Sequence, residues 1–328
     1  MPLVSNINSL RAGIQKDLAE TWRQQWPVYE ALQKAFLHYL PWINIRNAEY
    51  GFKERIPMPK PWPYGKGRSY QMFKDRKLTI GLFPYELTVP YSERDSSDDQ
   101  LGDMKTHLGQ IVGRFLQLPD IMITEYMTGT ASYNYNGLVL AYDGVNLYST
   151  TDGDGAARFG VTGGNIRPGS GVSTNAQVID DIIGVRRQFL EMLEPVTNQP
   201  LHDPNKVTYN NMIFIVPTEL DGIFRAIQKQ QTIYSDASIN TAQSNQFVGE
   251  IVYHVNQRLT DANDWFVVLQ HDYWKPFAYR APQNVRQILA EMNNSDHARE
   301  FAEETMYADL RLGIGPWAPF TTIKVSNS

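Results

Sequence analysis

Apolar residues between Ile14 and Leu40 fall at Ile14, Leu18, Trp22, Tyr29, Leu32, Phe36 and Leu40, steps of three, four or seven that line one helical face. Pro27 cannot donate an interior hydrogen bond and clashes one turn back, so the spacing predicts two helices, the second starting at Pro27. The stretch IPMPKPWPYGKG follows, with Pro57, Pro59, Pro61, Pro63, Gly65 and Gly67, and neither a helix nor a central strand tolerates it. It reads as an extended flap, and the alternation in LTIGLFPYELTVPY as the strand that returns from it. The clearest helical stripe is Leu101, Met104, Leu108, Ile111, Phe115 and Leu118, with Leu108 and Ile111 expected in the core. Gly109 and Gly113 would weaken this helix by about 1 kcal/mol each, which close packing against another backbone would offset.

Residues 143–173 hold eight glycines and few apolar anchors, a long irregular excursion. A second helix then starts behind Thr174 and Gln177, a capping-box pair, carries Val178, Ile182, Val185, Phe189 and Met192, and stops before Pro195. The run MIFIVP predicts a strand buried on both faces, leading into a helix over TELDGIFRAIQKQ. EIVYHV, DWFVVLQ, PFAYRA, MYADLRLGIG and FTTIKV read as further strands. The mix is α+β, without the regular strand–helix alternation of a doubly wound sheet and without internal repeats.

Composition narrows the function. The chain has 328 residues, long enough for two lobes or one elaborate fold, and its 42% hydrophobic content excludes wholesale disorder. A net charge of −5 provides no global field for nucleic acid, so any basic site is local. Zero cysteines remove disulfides, thiolate nucleophiles and cysteine-ligated metals. No run of about 18 apolar residues and no signal-peptide order at the start point to a membrane or to export. Charge is nevertheless segregated. Phe52 to Lys77 carries eight basic residues against Glu54 and Asp75, net +6, whereas SERDSSDDQLGD carries net −4 at the start of the long helix.

Catalytic arrangements are sparse. GKGRSY and GDGAAR lack the third glycine of a dinucleotide fingerprint, and no phosphate-binding lysine loop or nucleophile elbow occurs. Asp152 and Asp154 open like a calcium loop, but Ala156 stands at the next ligand position, so a solvated turn is expected. His38, His107, His202, His254, His271 and His297 never pair at metal spacing. A metal-dependent hydrolase using Asp152, Asp154 and His271 is the enzymatic alternative.

The order of elements carries more than any motif. An N-terminal arm, a basic flap, the helix VPYSERDSSDDQLGDMKTHLGQIVGRF, the excursion AYDGVNLYSTTDGDG, the lobe containing NMIFIVPTEL and the segment DWFVVLQHDYWKPFAYRAPQ resemble, in that order, the Hong Kong 97-type major capsid proteins of tailed phages. Within them the chain resembles the Mu-like major head subunit family. The resemblance implies an N-arm over 1–48, an extended E-loop over 49–90, a peripheral domain over 91–206 and 303–328 with a long spine helix, and an axial domain over 207–302. It implies a structural protein without catalytic activity, cofactor or metal, assembled in the host bacterial cytoplasm into the pentamers and hexamers of an icosahedral virion shell. Its partners would be copies of itself, packaged double-stranded DNA held without sequence specificity, and scaffold, portal or decoration proteins, with no membrane. An attached scaffolding segment is not expected from the opening residues. An encapsulin-like nanocompartment shell, and beyond it a tail or decoration protein, are the alternatives within structural classes. For the subunit interface the expected cations are Arg55, Lys60, Lys66 and Arg68 on the flap, facing Glu93, Asp95, Asp98 and Asp99 of a neighbour.

Overall fold

The computed structural model describes residues 20, 35–41, 45–53, 61–65, 67–68, 75–92, 103–134, 137–195, 197–234, 242–281, 289–293 and 303–327. Its strands are β1 (Leu37–Tyr39), β2 (Asn47–Lys53), β3 (Asp75–Gly81), β4 (Phe83–Ser92), β5 (Ile166–Pro168), β6 (Met212–Val216), β7 (Thr232–Tyr234), β8 (Ala242–Ser244), β9 (Val252–Val255), β10 (Trp265–Leu269), β11 (Phe277–Arg280), β12 (Leu289–Asn293), β13 (Glu303–Pro316) and β14 (Thr322–Ser326). The α-helices are α1 (Asp103–Thr128), α2 (Asn175–Glu191) and α3 (Asp221–Lys229). Among the described residues no helix is long and apolar enough to cross a membrane.

A mixed central sheet runs in the order β5-β14-β10-β6-β9. The run MIFIVP becomes β6, buried at every residue between antiparallel β10 and parallel β9, as its unbroken apolar pattern requires. Because strand side chains alternate, β10 serves two cores: Trp265, Val267 and Leu269 face one, Phe266 and Val268 the other. Val178, Ile182, Val185 and Phe189 of α2 and Phe224 and Ile227 of α3 fill the first. Ile111, Phe115, Leu118, Met122 and Tyr126 of α1 fill the second. The sheet is thus a middle layer with apolar packing on both sides.

A second sheet is built around the long strand β13. Its residues 303–312 pair with β4 and 305–309 with β12, and 313–316 continue along β11, which in turn pairs in parallel with β1.

Helix α2 begins as its capping box predicts. Thr174 Oγ1 accepts from the Gln177 N–H (3.3 Å), and Gln177 Oε1 accepts from the Thr174 N–H (3.1 Å). Helix α1 runs past Pro119, beyond the stripe read to Leu118. Met122, Ile123, Tyr126 and Met127 continue the buried face, and that burial outweighs the roughly 3 kcal/mol cost of an interior proline. Ile111 is 4% exposed, as expected of a core position; the side chain of Leu108 and the whole of Leu101 lie outside the described residues.

Three expectations need correction. Helical spacing was extended to Leu40, but Leu37–Tyr39 forms β1, because the backbone of β11 offers it an open edge. Of the arm before it, Glu20 is helical, Ala35 and Phe36 form a turn, and the other residues lie outside those described. The returning segment LTIGLFPYELTVPY is two strands, not one: Leu82 breaks it, and the chain exchanges β2 for β13 as its partner. The close backbone approach expected at Gly109 is not seen among the described residues, where a Cβ placed there would meet no atom within 4 Å.

Candidate subunit interface

The flap begins as a two-stranded ribbon in which Asn47 faces Gly81 and Lys53 faces Asp75. Period-two alternation gives it two unlike sides. Ala48, Tyr50, Leu78 and Ile80 are buried against the first core, whereas Glu49, Gly51, Lys77 and Thr79 are exposed. On the exposed side Lys77 Nζ meets Glu49 Oε2 at 2.9 Å, and this hydrogen bond raises the Lys77 pKa. So exposed a pair adds little stability, which leaves the apolar side to hold the ribbon in place.

Beyond the ribbon the described part of the flap is aromatic. Trp62 is 64% exposed and Tyr64 completely so, the first between Pro61 and Pro63, the second in a turn where Gly65 takes φ 81°. The Arg68 guanidinium lies 5.3 Å from the centre of the Trp62 ring, within cation–π range. Of the eight residues expected at the interface, only Arg68 is among the described residues, and it is exposed. Arg55, Lys60, Lys66, Glu93, Asp95, Asp98 and Asp99 lie outside them, so the geometry of the two charge patches is not described.

The neck of the flap is built around Arg280, at the end of β11 and fully buried. Its Nη1 donates to the carbonyls of Arg46 (2.9 Å) and Ile80 (2.7 Å), and its Nη2 to that of Ile45. The guanidinium also hydrogen-bonds the Tyr50 hydroxyl, which donates its own proton to the Pro41 carbonyl (3.2 Å). Burial lowers the Arg280 pKa and raises that of Tyr50, and each partly offsets the shift of the other. The Leu82 N–H closes the neck by donating to Arg46 O at 2.8 Å. Sequence reasoning missed Arg280, although one signal was present: in PFAYRA it shares the strand face of Ala278, a core position, so its charge had to point inward.

The glycine-rich excursion is equally well held. Arg158, fully buried, grips Asp143 with two nitrogens (2.7 and 2.9 Å) and donates to the Leu147 carbonyl (2.7 Å) and Asn165 Oδ1 (3.1 Å). Glu125, near the end of α1, accepts from the N–H groups of Ser132, Tyr133 and Asn134 at 2.7–2.9 Å and so folds the first turn of the loop onto the helix.

The residues of the hydrolase alternative have structural employment. Asp152 Oδ1 accepts from the N–H groups of Asp154 (3.0 Å) and Ala156 (2.9 Å), the solvated turn expected there. His271 Nδ1 accepts from the Tyr273 (3.2 Å) and Trp274 (3.3 Å) amides. Among the described residues no three His, Asp or Glu side chains gather as a metal would need.

No family model matches the chain, and no curated protein does. Solved structures do. The capsid of a native GTA particle aligns with a TM-score of 0.59 at 10% identity, over 90% of this chain and 89% of that one. The mature capsid of bacteriophage PhiM1 aligns at 0.54 and 12% identity over 90% and 86%, and the capsid of Ralstonia phage GP4 at 0.55 and 11% over 89% and 87%. With nine-tenths of each chain superposed and almost no sequence shared, it is the path of the backbone that is common to them, and this α+β chain has the fold of the phage capsid proteins.

Proposed function

We propose that the chain is the major capsid subunit of a tailed phage, a structural protein rather than an enzyme. In this reading it assembles through pentamers and hexamers into an icosahedral shell around double-stranded DNA. The observation that carries it is the alignment to solved capsids over about nine-tenths of both chains, which leaves little room for a separate functional domain. The finer reading is a Hong Kong 97-type layout of the Mu-like kind, with the N-arm over 1–48, the E-loop over 49–90, the peripheral domain over 91–206 and 303–328, and the axial domain over 207–302. Exposed Trp62 and Tyr64 support an interface at the flap, because aromatic side chains left in water are the usual anchors of a partner contact.

Charge adds direction to that contact. Arg55, Lys60, Lys66 and Arg68 would face Glu93, Asp95, Asp98 and Asp99 of the neighbouring copy, setting register and assembly rate more than final strength. DNA would meet only scattered cations, with no base-specific contact. Negative-stain imaging of the purified chain tests the whole reading: rings or closed shells are expected, and a monomer at high concentration across a range of salt overturns it. Reversing two flap cations should slow assembly at low ionic strength, and reversing two of the acids as well should restore part of the rate. Unchanged kinetics in the first variant would remove the charge pairing while leaving the capsid reading intact.

A further inference from the structure

We propose that Arg280 is the pivot that fixes the angle at which the flap leaves the subunit, a positioning residue for the arm. The inference rests on reading the flap as the arm that reaches a neighbour. A two-stranded ribbon has little stability or direction of its own, so its aim is decided by how its two ends are held. Here one guanidinium holds both ends, through the carbonyls of Ile45 and Arg46 on the way in and of Ile80 on the way out. The guanidinium is planar and its donors stand in a fixed fork, so the three carbonyls are set in one mutual geometry. Swinging the ribbon about its neck would break these bonds together and leave a buried charge poorly solvated.

The pivot itself is anchored. Arg280 pairs with Gly313 through the backbone of β13, and a Cβ at Gly313 would collide with the Gly81 carbonyl, so the end of β3 rests directly on the sheet. Tyr50, on the buried side of the ribbon, links the same guanidinium to Pro41 and hence to the strap that carries β1. A lysine could carry the charge, but as a compact ammonium with rotating donors it would not hold three carbonyls in one plane.

The lack of native cysteine makes the angle measurable. Spin labels at Gly51→Cys on the exposed side of the ribbon and Ile183→Cys on the exposed side of α2 report one distance within the full-length chain, diluted with unlabelled protein to suppress contacts between copies. A narrow distribution is expected for the parent, widening by about twofold or more in Arg280→Lys and by less in Tyr50→Phe, which keeps the arginine but loosens its seat. A merely structural role would lower thermal stability without changing the width. If Arg280→Lys does not fold, Tyr50→Phe decides alone, and an unchanged width in the folded variants overturns the inference. Imaging of the same samples separates this from the capsid reading: a parent that never assembles overturns the shell proposal while the label distances still judge the pivot.

Discussion

At Gly313 a single hydrogen atom decides whether two parts of the chain fit. The Gly81 carbonyl occupies the place of a Cβ there and the Ile80 side chain crowds it, so Gly313→Ala would drive β3 off β13. We expect a loss of about 3 kcal/mol, read as a lower urea midpoint, because the atom in the way is backbone and cannot turn aside. The alternation of MYADLRLGIG made β13 legible as a strand but could not reveal the contact at its glycine, since the chain that crosses it comes from more than two hundred residues earlier. Gly109 illustrates the converse. It read as a site of close packing, yet among the described residues nothing stands within 4 Å of a Cβ placed there, because a glycine is written the same way whether it admits a neighbour or not. Arg158 and Arg280 belong with Gly313: their charges were plain in the sequence, but the groups that justify burying them, Leu147 and Asp143 for one and Ile80 of β3 for the other, are brought to them only by the fold.

Among the elements, β1 shows how a correct pattern can yield the wrong structure. Phe36 and Leu40 stand four apart, and a step of four returns to the same side in both a helix and a strand, so the stripe could not choose between them. The edge of β11 chooses. Phe277 N–H donates to Phe36 O (3.2 Å), Leu40 N–H donates to Tyr279 O (2.9 Å), and Leu37 is buried in the second core. Within β1, His38 lies flat on Trp317, the rings 5.2 Å apart and 9° from parallel. Burial first, and then the charge of Lys275, itself faced by Asp272, lower the His38 pKa below its ordinary 6.5. Docked β1 therefore prefers neutral imidazole. As pH falls from about 7.5 through 6.5, the released strap gains a proton that the docked one resists, and docking weakens until the lower folded pKa is also passed. Hydrogen exchange at residues 37–40 should accelerate over that range relative to β10, and His38→Gln should flatten the difference; a pH profile that survives the substitution would assign it to another group.

At the scale of the molecule, legibility followed the distance between cause and effect. Helix α2 and strands β6 and β10 carry their instructions within a few residues, as a capping box or an unbroken apolar run, and they stand where the pattern put them. Strands β5, β7, β8 and β12 were not read, because at three to five residues each is too short to carry a pattern of its own. The same rule divides the flap: the prolines and glycines that exclude helix and central strand were visible in IPMPKPWPYGKG, the Arg280 bonds at its neck were not. The most distant dependence concerns β14. It follows β6 and β10 in the chain, yet it lies inside the central sheet, between β5 and β10, with Thr322 to Val325 paired along β10 and Lys324 joined to Asp264 at 2.7 Å. A ribosome delivers β6 and β10 long before this strand, and until it arrives one side of β10 is an open edge. Ending the chain after Pro316 should leave the sheet unformed, seen as lost near-ultraviolet dichroism, and a synthetic peptide of residues 317–328 supplied in trans should recover part of it; a native spectrum from the shortened chain alone would refute this. Residues 322–325 therefore close β10 in time as well as in space: during synthesis β6 and β10 wait with one edge unpaired until these residues have been made.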